Sequence, residues 1–180
     1  LIDLIEARRE QLDVLDEDVR KLRTEVAAAE SRAAQRSAQG TAEGRRLAEL
    51  AGRAGTTALH GPGLVVTLSD SDRSPPSPDE AGASRIHDSD LQLVVNALFA
   101  AGAEAVAIND SRVVVTTPIR AAGDTIVVNF RPLSPPYRVR AIGADEDEYA
   151  ASEIAARFRR WTRLFGLGYS TSQADDITVP

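Results

Sequence analysis

The chain has 180 residues, 43% of them hydrophobic, which is enough for one ordinary folded domain plus an appendage and too apolar for a disordered protein. Its 21 basic and 27 acidic residues give a net charge of -6, so no overall basic field recruits phosphate backbones or anionic lipid, which argues against nucleic acid as a partner. The absence of cysteine removes thiol catalysis, disulfides and thiolate metal sites, and fits either the cytoplasm or an oxidising compartment.

The first element in chain order is a heptad seam. Leu1, Ile5, Leu12, Leu15, Val19, Leu22, Val26, Ala29 and Ala33 follow alternating steps of three and four, interrupted at Arg8. With Ile5, Leu12, Val19 and Val26 at a and Leu1, Leu15, Leu22 and Ala29 at d, β-branched a with leucine d favours a parallel dimer. The flanking charges do not select a partner: Asp18 would meet Arg23 of a second copy, whereas Glu25 would face Glu30. The stripe also has a plainer reading, an amphipathic helix docked on its own domain. A helix over 1–33 would be roughly 50 Å long at about 1.5 Å per residue, and a lone helix of this kind is marginal in water. The spacing therefore predicts a homodimer through Leu1, Ile5, Leu12, Leu15, Val19, Leu22 and Val26.

Residues 34–58 read as a linker or weak helix, with a short helical pattern at Leu47, Leu50 and Ala54 that stops at Gly55. An α/β domain is expected over 59–180. Its first strand is Leu64 to Leu68, launched from the constrained turn Gly61-Pro62-Gly63. Ser69 to Ser84, with repeated proline, serine and aspartate, is a long surface loop. Asp88 is positioned to cap a helix over Ser89 to Ala101, closed by Gly102. Strands follow at Ala105 to Ile108, Val113 to Thr117, Ile126 to Phe130 and Tyr137 to Ile142, with Ile126 to Phe130 expected to pair with the strand at Val113. Asp145 and Glu148 form a capping box for a helix to about Phe165, and Ile177 to Val179 adds a short last strand. The expected class is α+β, an α/β sandwich that is ferredoxin-like with an enlarged antiparallel middle, preceded by the long coiled-coil helix. The alternative is a doubly wound parallel sheet, which the run of strands without an intervening helix disfavours.

No catalytic motif stands out. His87-Asp88-Ser89-Asp90 joins a histidine to carboxylates, but no second cluster at ligand spacing completes a metal site, and Asp88 and Asp90 suit the start of a helix. Ser69-Asp70-Ser71-Asp72 lacks the glycine and distal glutamate of a calcium loop. His60 and the serines offer no nucleophile elbow, and Gly61-Pro62-Gly63 precedes a strand, whereas phosphate loops follow one. No cofactor or metal is expected. Arg112, Arg120, Arg131, Arg138 and Arg140 fall in the strand region, where with Asn109 they could line a small anionic-ligand or partner surface. Alternation instead puts them on the wet face of a half-exposed sheet.

Four stretches carry a family resemblance: GPGLVVTLSD from Gly61, IHDSDLQLVVNALFAAGAEAVAIND from Ile86, TTPIRAAGDTIVVN from Thr116 and SPPYRVRAIG from Ser134. In this order and spacing they resemble the bacterial domain of unknown function 881 family. The chain departs from it at Asp110-Ser111, where members more often have Gly-Gln, and at Phe99, where tryptophan is common. The resemblance implies a single-pass membrane protein, its anchor upstream of Leu1 and its coiled coil and α/β domain outside the cytoplasm. It further implies an interaction role among envelope or cell-division proteins, with no catalytic residue to carry over.

Overall fold

The computed structural model describes residues 42–73 and 82–180, with six helical positions upstream: Lys21, Leu22, Glu25, Val26, Ala28 and Ala29. Leu1, Ile5, Leu12, Leu15 and Val19 of the seam lie outside the described residues, as do positions 74–81 of the expected loop. The chain divides into two compact units, Leu1–Thr57 and Ala58–Pro180. In the first, helix α1 spans Ala42–Ala54 and exposes Leu47 and Leu50. Its end is closed by glycine: Gly55 takes a φ of 70° and donates its N–H to Gly52 O, while Thr56 donates both N–H and Oγ1 to Ala51 O.

The second unit runs β1 (Leu59–Ser69), α2 (Asp88–Ala100), β2 (Ala105–Ile108), β3 (Ser111–Val113), β4 (Ile119–Ala122), β5 (Thr125–Val128), β6 (Arg131–Leu133), β7 (Tyr137–Ile142), α3 (Glu146–Ala151), α4 (Glu153–Phe165) and β8 (Gly168–Val179). A five-stranded sheet has the order β3-β2-β7-β1-β8, and a separate three-stranded sheet has the order β4-β5-β6. Every strand pair in both sheets is antiparallel, so the class is α+β and the doubly wound parallel alternative is overturned.

Alternation along the central strands creates the core. Leu64, Val66 and Leu68 of β1 are fully buried on one face of the large sheet, beside Val106 and Ile108 of β2 and Val139 and Ala141 of β7. The apolar stripe of α2, Leu91, Val94, Val95 and Leu98, joins them, with Ala155 and Phe158 of α4. Each leucine, isoleucine, valine or phenylalanine among them contributes about 1.5–3 kcal/mol on burial. The small sheet adds Ile119, Ile126 and Val128 to the same core.

Several expected boundaries move. The third strand is Ser111–Val113, after which Thr117 N–H bonds to Val114 O and turns the chain away. Thr125–Val128 therefore pairs with Ile119–Ala122 and Arg131–Leu133, not with the strand at Val113. The expected helix from Asp145 to Phe165 breaks at Ser152, whose extended ψ of 151° ends α3 and whose Oγ accepts from Ala155 N at 3.2 Å to start α4. The capping box holds on one side: Asp145 Oδ1 accepts from Glu148 N at 2.8 Å.

Gly61-Pro62-Gly63 lies inside β1 and does not launch it. The register passes from Gly61 opposite Ile177 to Gly63 opposite Ala174, so Asp175 and Asp176 together face Pro62, which has no N–H to donate. Beyond this bulge the β1–β8 ribbon continues to Leu59 opposite Val179. Ile177 and Val179 bury themselves with Ala105, Ala107 and Ile142, forming a second apolar cluster on the other face of the large sheet.

Candidate functional site

Sheet register places the arginines. Ala107 pairs with Arg112 on one side and Arg140 on the other, and Arg140 pairs with Val65, so Arg112 and Arg140 share one row on the face away from the main core. Arg138, two residues along β7 and opposite Thr67, shares that face. Arg120 and Arg131 are instead on β4 and β6 of the small sheet. The strand-region arginines are thus divided between two sheets and do not form one cluster.

Local contacts occupy much of that row. Asn109 sits at a φ of 50°, a left-handed conformation that asparagine tolerates, and closes the β2–β3 turn. It grips β7 at two points, donating its N–H to Arg138 O and accepting from Arg138 N at its Oδ1, each at 2.8 Å. Arg140 donates to Asn109 O and lies 3.4 Å from Asp110 Oδ1. Arg112 Nη1 donates to Pro180 O at 3.2 Å and Val179 O at 3.4 Å, tying the ribbon end to the far edge of the sheet. Burial pushes the Arg112 guanidinium below its usual pKa. Arg120 and Arg138 remain exposed.

Asn109→Ala is expected to cost about 2 kcal/mol, combining the lost side-chain bond with an unfavourable φ, whereas Asn109→Gly costs about 1 kcal/mol because glycine keeps the conformation. Urea midpoints of the two variants check the order; equal losses contradict it.

A second group of polar side chains gathers at the start of α2. The N-cap is His87, not Asp88: its N–H bonds to Asp90 Oδ2 at 2.9 Å, so the acidic residue of the first turn reaches back to close the cap. Asp88 has a different task. One carboxylate oxygen accepts from Ser89 N and the other from Ala121 N of β4, both at 2.9 Å. Arg85 holds the β4–β5 turn through Asp124, with Nη1 at 2.8 Å from Oδ1 and Nη2 donating to the carbonyl at 2.8 Å. Asp70 accepts from Ile86 N at 2.8 Å, and Gln92 Nε2 donates to Ile119 O at 2.9 Å. These contacts fasten the small sheet to α2 and the end of β1. Tyr137 is buried beside them; burial first, then the charge of Asp70, raises its phenol pKa against the opposing effect of Arg85.

Among the described residues no three His, Asp or Glu side chains converge to hold a metal ion. A shallow depression on α4 is lined by Glu153, Ala156, Arg157 and Arg160, with the Arg157 guanidinium 5.7 Å from the centre of the Trp161 ring. The sequence reading missed Arg85, Asp70 and Asp124 as partners, because nothing in their local sequence joins residues this far apart. Phe130, expected at the end of a strand, instead forms with Asn129 a tight β5–β6 turn at φ 49° and 65°, and the residue is 84% exposed. Its signal was the two-residue gap between short apolar runs.

The model of a family described as bacterial protein of unknown function (DUF881) matches residues 46–180. The UPF0749 protein Rv1823 of Mycobacterium tuberculosis H37Rv is 37% identical over 152 residues, covering 77% of this chain and 50% of its own length. The UPF0749 protein Rv1825 of the same strain is 34% identical over 138 residues, covering 74% of this chain and 44% of its own. The chain thus spans half or less of the length of these curated relatives. A crystal structure of an uncharacterized conserved protein from Mycobacterium tuberculosis superposes with a TM-score of 0.59 at 31% identity, covering 74% of this chain and 89% of that one.

Proposed function

The chain belongs to the bacterial family of unknown function DUF881, and from that premise we propose that it is a non-enzymatic scaffold whose N-terminal helix pairs two copies and whose α+β unit presents an interaction surface. The observation that carries this reading is the exposure of Leu22 and Val26, 58% and 53%, on helical residues at successive d and a positions. Apolar side chains repeated on one stripe of a helix gain about 1.5–3 kcal/mol each when a partner covers them. Leu47 and Leu50 of α1, three residues apart, are exposed in the same way.

We read the α+β unit as a ferredoxin-like core. Its strands β8-β1-β7-β2 carry α2 and α4, with β3 and the β4–β6 sheet inserted between β2 and β7. The family resemblance supports a tether as well: a single membrane-spanning helix upstream of Leu1, with this region outside the cytoplasm among envelope or cell-division proteins. No described helix is itself long and apolar enough to cross a membrane. Fractionation of the full-length protein tests the tether. It is expected in the membrane pellet, resistant to carbonate and released by detergent; recovery in the soluble fraction contradicts it. Cross-linking in cells before solubilisation then identifies the proteins held by the α+β unit.

For the anionic-ligand alternative, Arg112 and Arg140 are engaged with backbone carbonyls of the chain itself, which leaves Arg138 exposed on that face and Arg120 exposed on the other sheet.

A further inference from the structure

The large sheet has edges of unequal length, β3 at Ser111–Val113 and β8 at Gly168–Val179. Among the described residues β8 pairs only with β1, and Ser170, Thr171, Ser172 and Gln173 are exposed. A free edge presents alternate backbone N–H and C=O groups to any incoming strand, and natural edges are usually blunted by shortness, proline, lysine or a bulge. From Gly168 to Ala174 β8 has no proline and no charged residue. The bulge and the acidic pair Asp175-Asp176 come only after this stretch.

We propose that a second copy of this chain adds its own β8 antiparallel to this edge, joining the two large sheets across a two-fold axis. The sequence of the edge is complementary to itself. In an antiparallel ladder both backbone groups of one residue point to the same side, so a two-fold pairing sets one residue opposite its own counterpart. Centred on Thr171, the middle of the free stretch, the pairing puts Thr171 against Thr171, Ser170 against Ser172 and Tyr169 against Gln173. Small hydroxyl residues across from each other are favourable cross-strand partners.

Charge points to the same occupant. The pairing carries Asp175 and Asp176 to the partner's Gly166–Gly168 end. The Arg73 side chain lies against that end, for a Cβ on Gly166 would come 2.8 Å from Arg73 Cδ. The segment that receives the acids, Gly166–Gly168, carries no acidic residue of its own and has the basic Arg73 beside it, so the pairing opposes no like charges there. The contact uses only the unit Ala58–Pro180, which contains both apolar clusters, and stands independently of the N-terminal helix.

The cysteine-free chain allows a clean test. Thr171→Cys, Ser172→Cys and Gln173→Cys are introduced singly, with Arg120→Cys on the exposed face of the small sheet as control. Residues directly opposite stand about 4.5–5.5 Å apart between Cα atoms, inside the disulfide span of about 4.4–6.8 Å. Under mild oxidation Thr171→Cys is expected to form a homodimer at least tenfold faster than the control and faster than Ser172→Cys or Gln173→Cys, whose positions face Ser170 and Tyr169 of the second copy. The same preference is expected in the full chain and in a form starting at Ala58, so that failure of the helix pairing leaves this result readable. Linking at Thr171→Cys no faster than the control, equal or faster linking at position 172 or 173, or adducts formed only with other proteins overturns the proposal.

Discussion

Replacing Gly63 by alanine is expected to lower the stability of the α+β unit by about 4 kcal/mol or more, a loss reached by few single substitutions. A Cβ at this position would lie 2.0 Å from Ala141 O and 2.9 Å from both Ala141 C and Ile142 Cα. All three are backbone atoms, so no side-chain rotation relieves the overlap. β1 is hydrogen-bonded to β7 on one side and β8 on the other, and parting β1 from β7 disturbs the central ladder and the apolar cluster under the ribbon end. Against a total stability of about 5–15 kcal/mol, the variant should melt roughly 15 °C lower. Gly82→Ala is the matched control, since nothing lies within 4 Å of a Cβ there. Thermal unfolding followed by circular dichroism measures both, and a Gly63→Ala loss under about 1 kcal/mol would contradict the close approach of the strands.

Phe158→Ala is expected to cost about 3–5 kcal/mol. The side chain is fully buried, its ring stacked on Tyr169 with centroids 5.4 Å apart and planes at 17°, and met edge-on by Trp161, also at 5.4 Å, with planes at 78°. Truncation removes both ring contacts, each worth about 0.5–1.5 kcal/mol beyond area, and leaves a cavity where α4 meets β8. Because Trp161 is the only tryptophan, its emission reports the site directly. The variant should show a lower urea midpoint with an unchanged slope and a red-shifted native spectrum. An unshifted spectrum with a loss under about 1 kcal/mol would mean that α4 does not pack on β8 through this ring.

The elements read correctly from sequence are those whose burial follows a clear period. The alternation Leu64, Val66, Leu68 and the α2 stripe from Leu91 to Leu98 both became core. The Asp145–Glu148 cap was legible because capping is local chemistry. β8 was largely missed because an edge strand reading Gly-Tyr-Ser-Thr-Ser-Gln is mostly exposed and so has the composition of a loop. β4 and β6 were missed for a different reason: at four and three residues, containing Arg120 and Pro132, they show no period at all. Gly61-Pro62-Gly63 has turn chemistry, yet pairing with β8 on either side of Pro62 and with β7 at Gly63 draws it into a strand, where the missing Cβ of Gly63 admits the β7 backbone. The arginines show the limit most clearly. Their spacing puts them in strands, but only long-range register decides that Arg112 and Arg140 share a row while Arg120 belongs to another sheet.

The central claim, that the N-terminal helix pairs two copies in parallel and in register, is tested most directly by Leu22→Cys against Ala28→Cys in the full chain. Both positions are helical and exposed in the single chain, so they differ only in their place on the heptad: Leu22 at d, on the seam, and Ala28 at c, on the outer face. Parallel in-register pairing predicts rapid disulfide-linked homodimers at position 22 and few at position 28. Equal linking at the two positions, or none at 22, would contradict it.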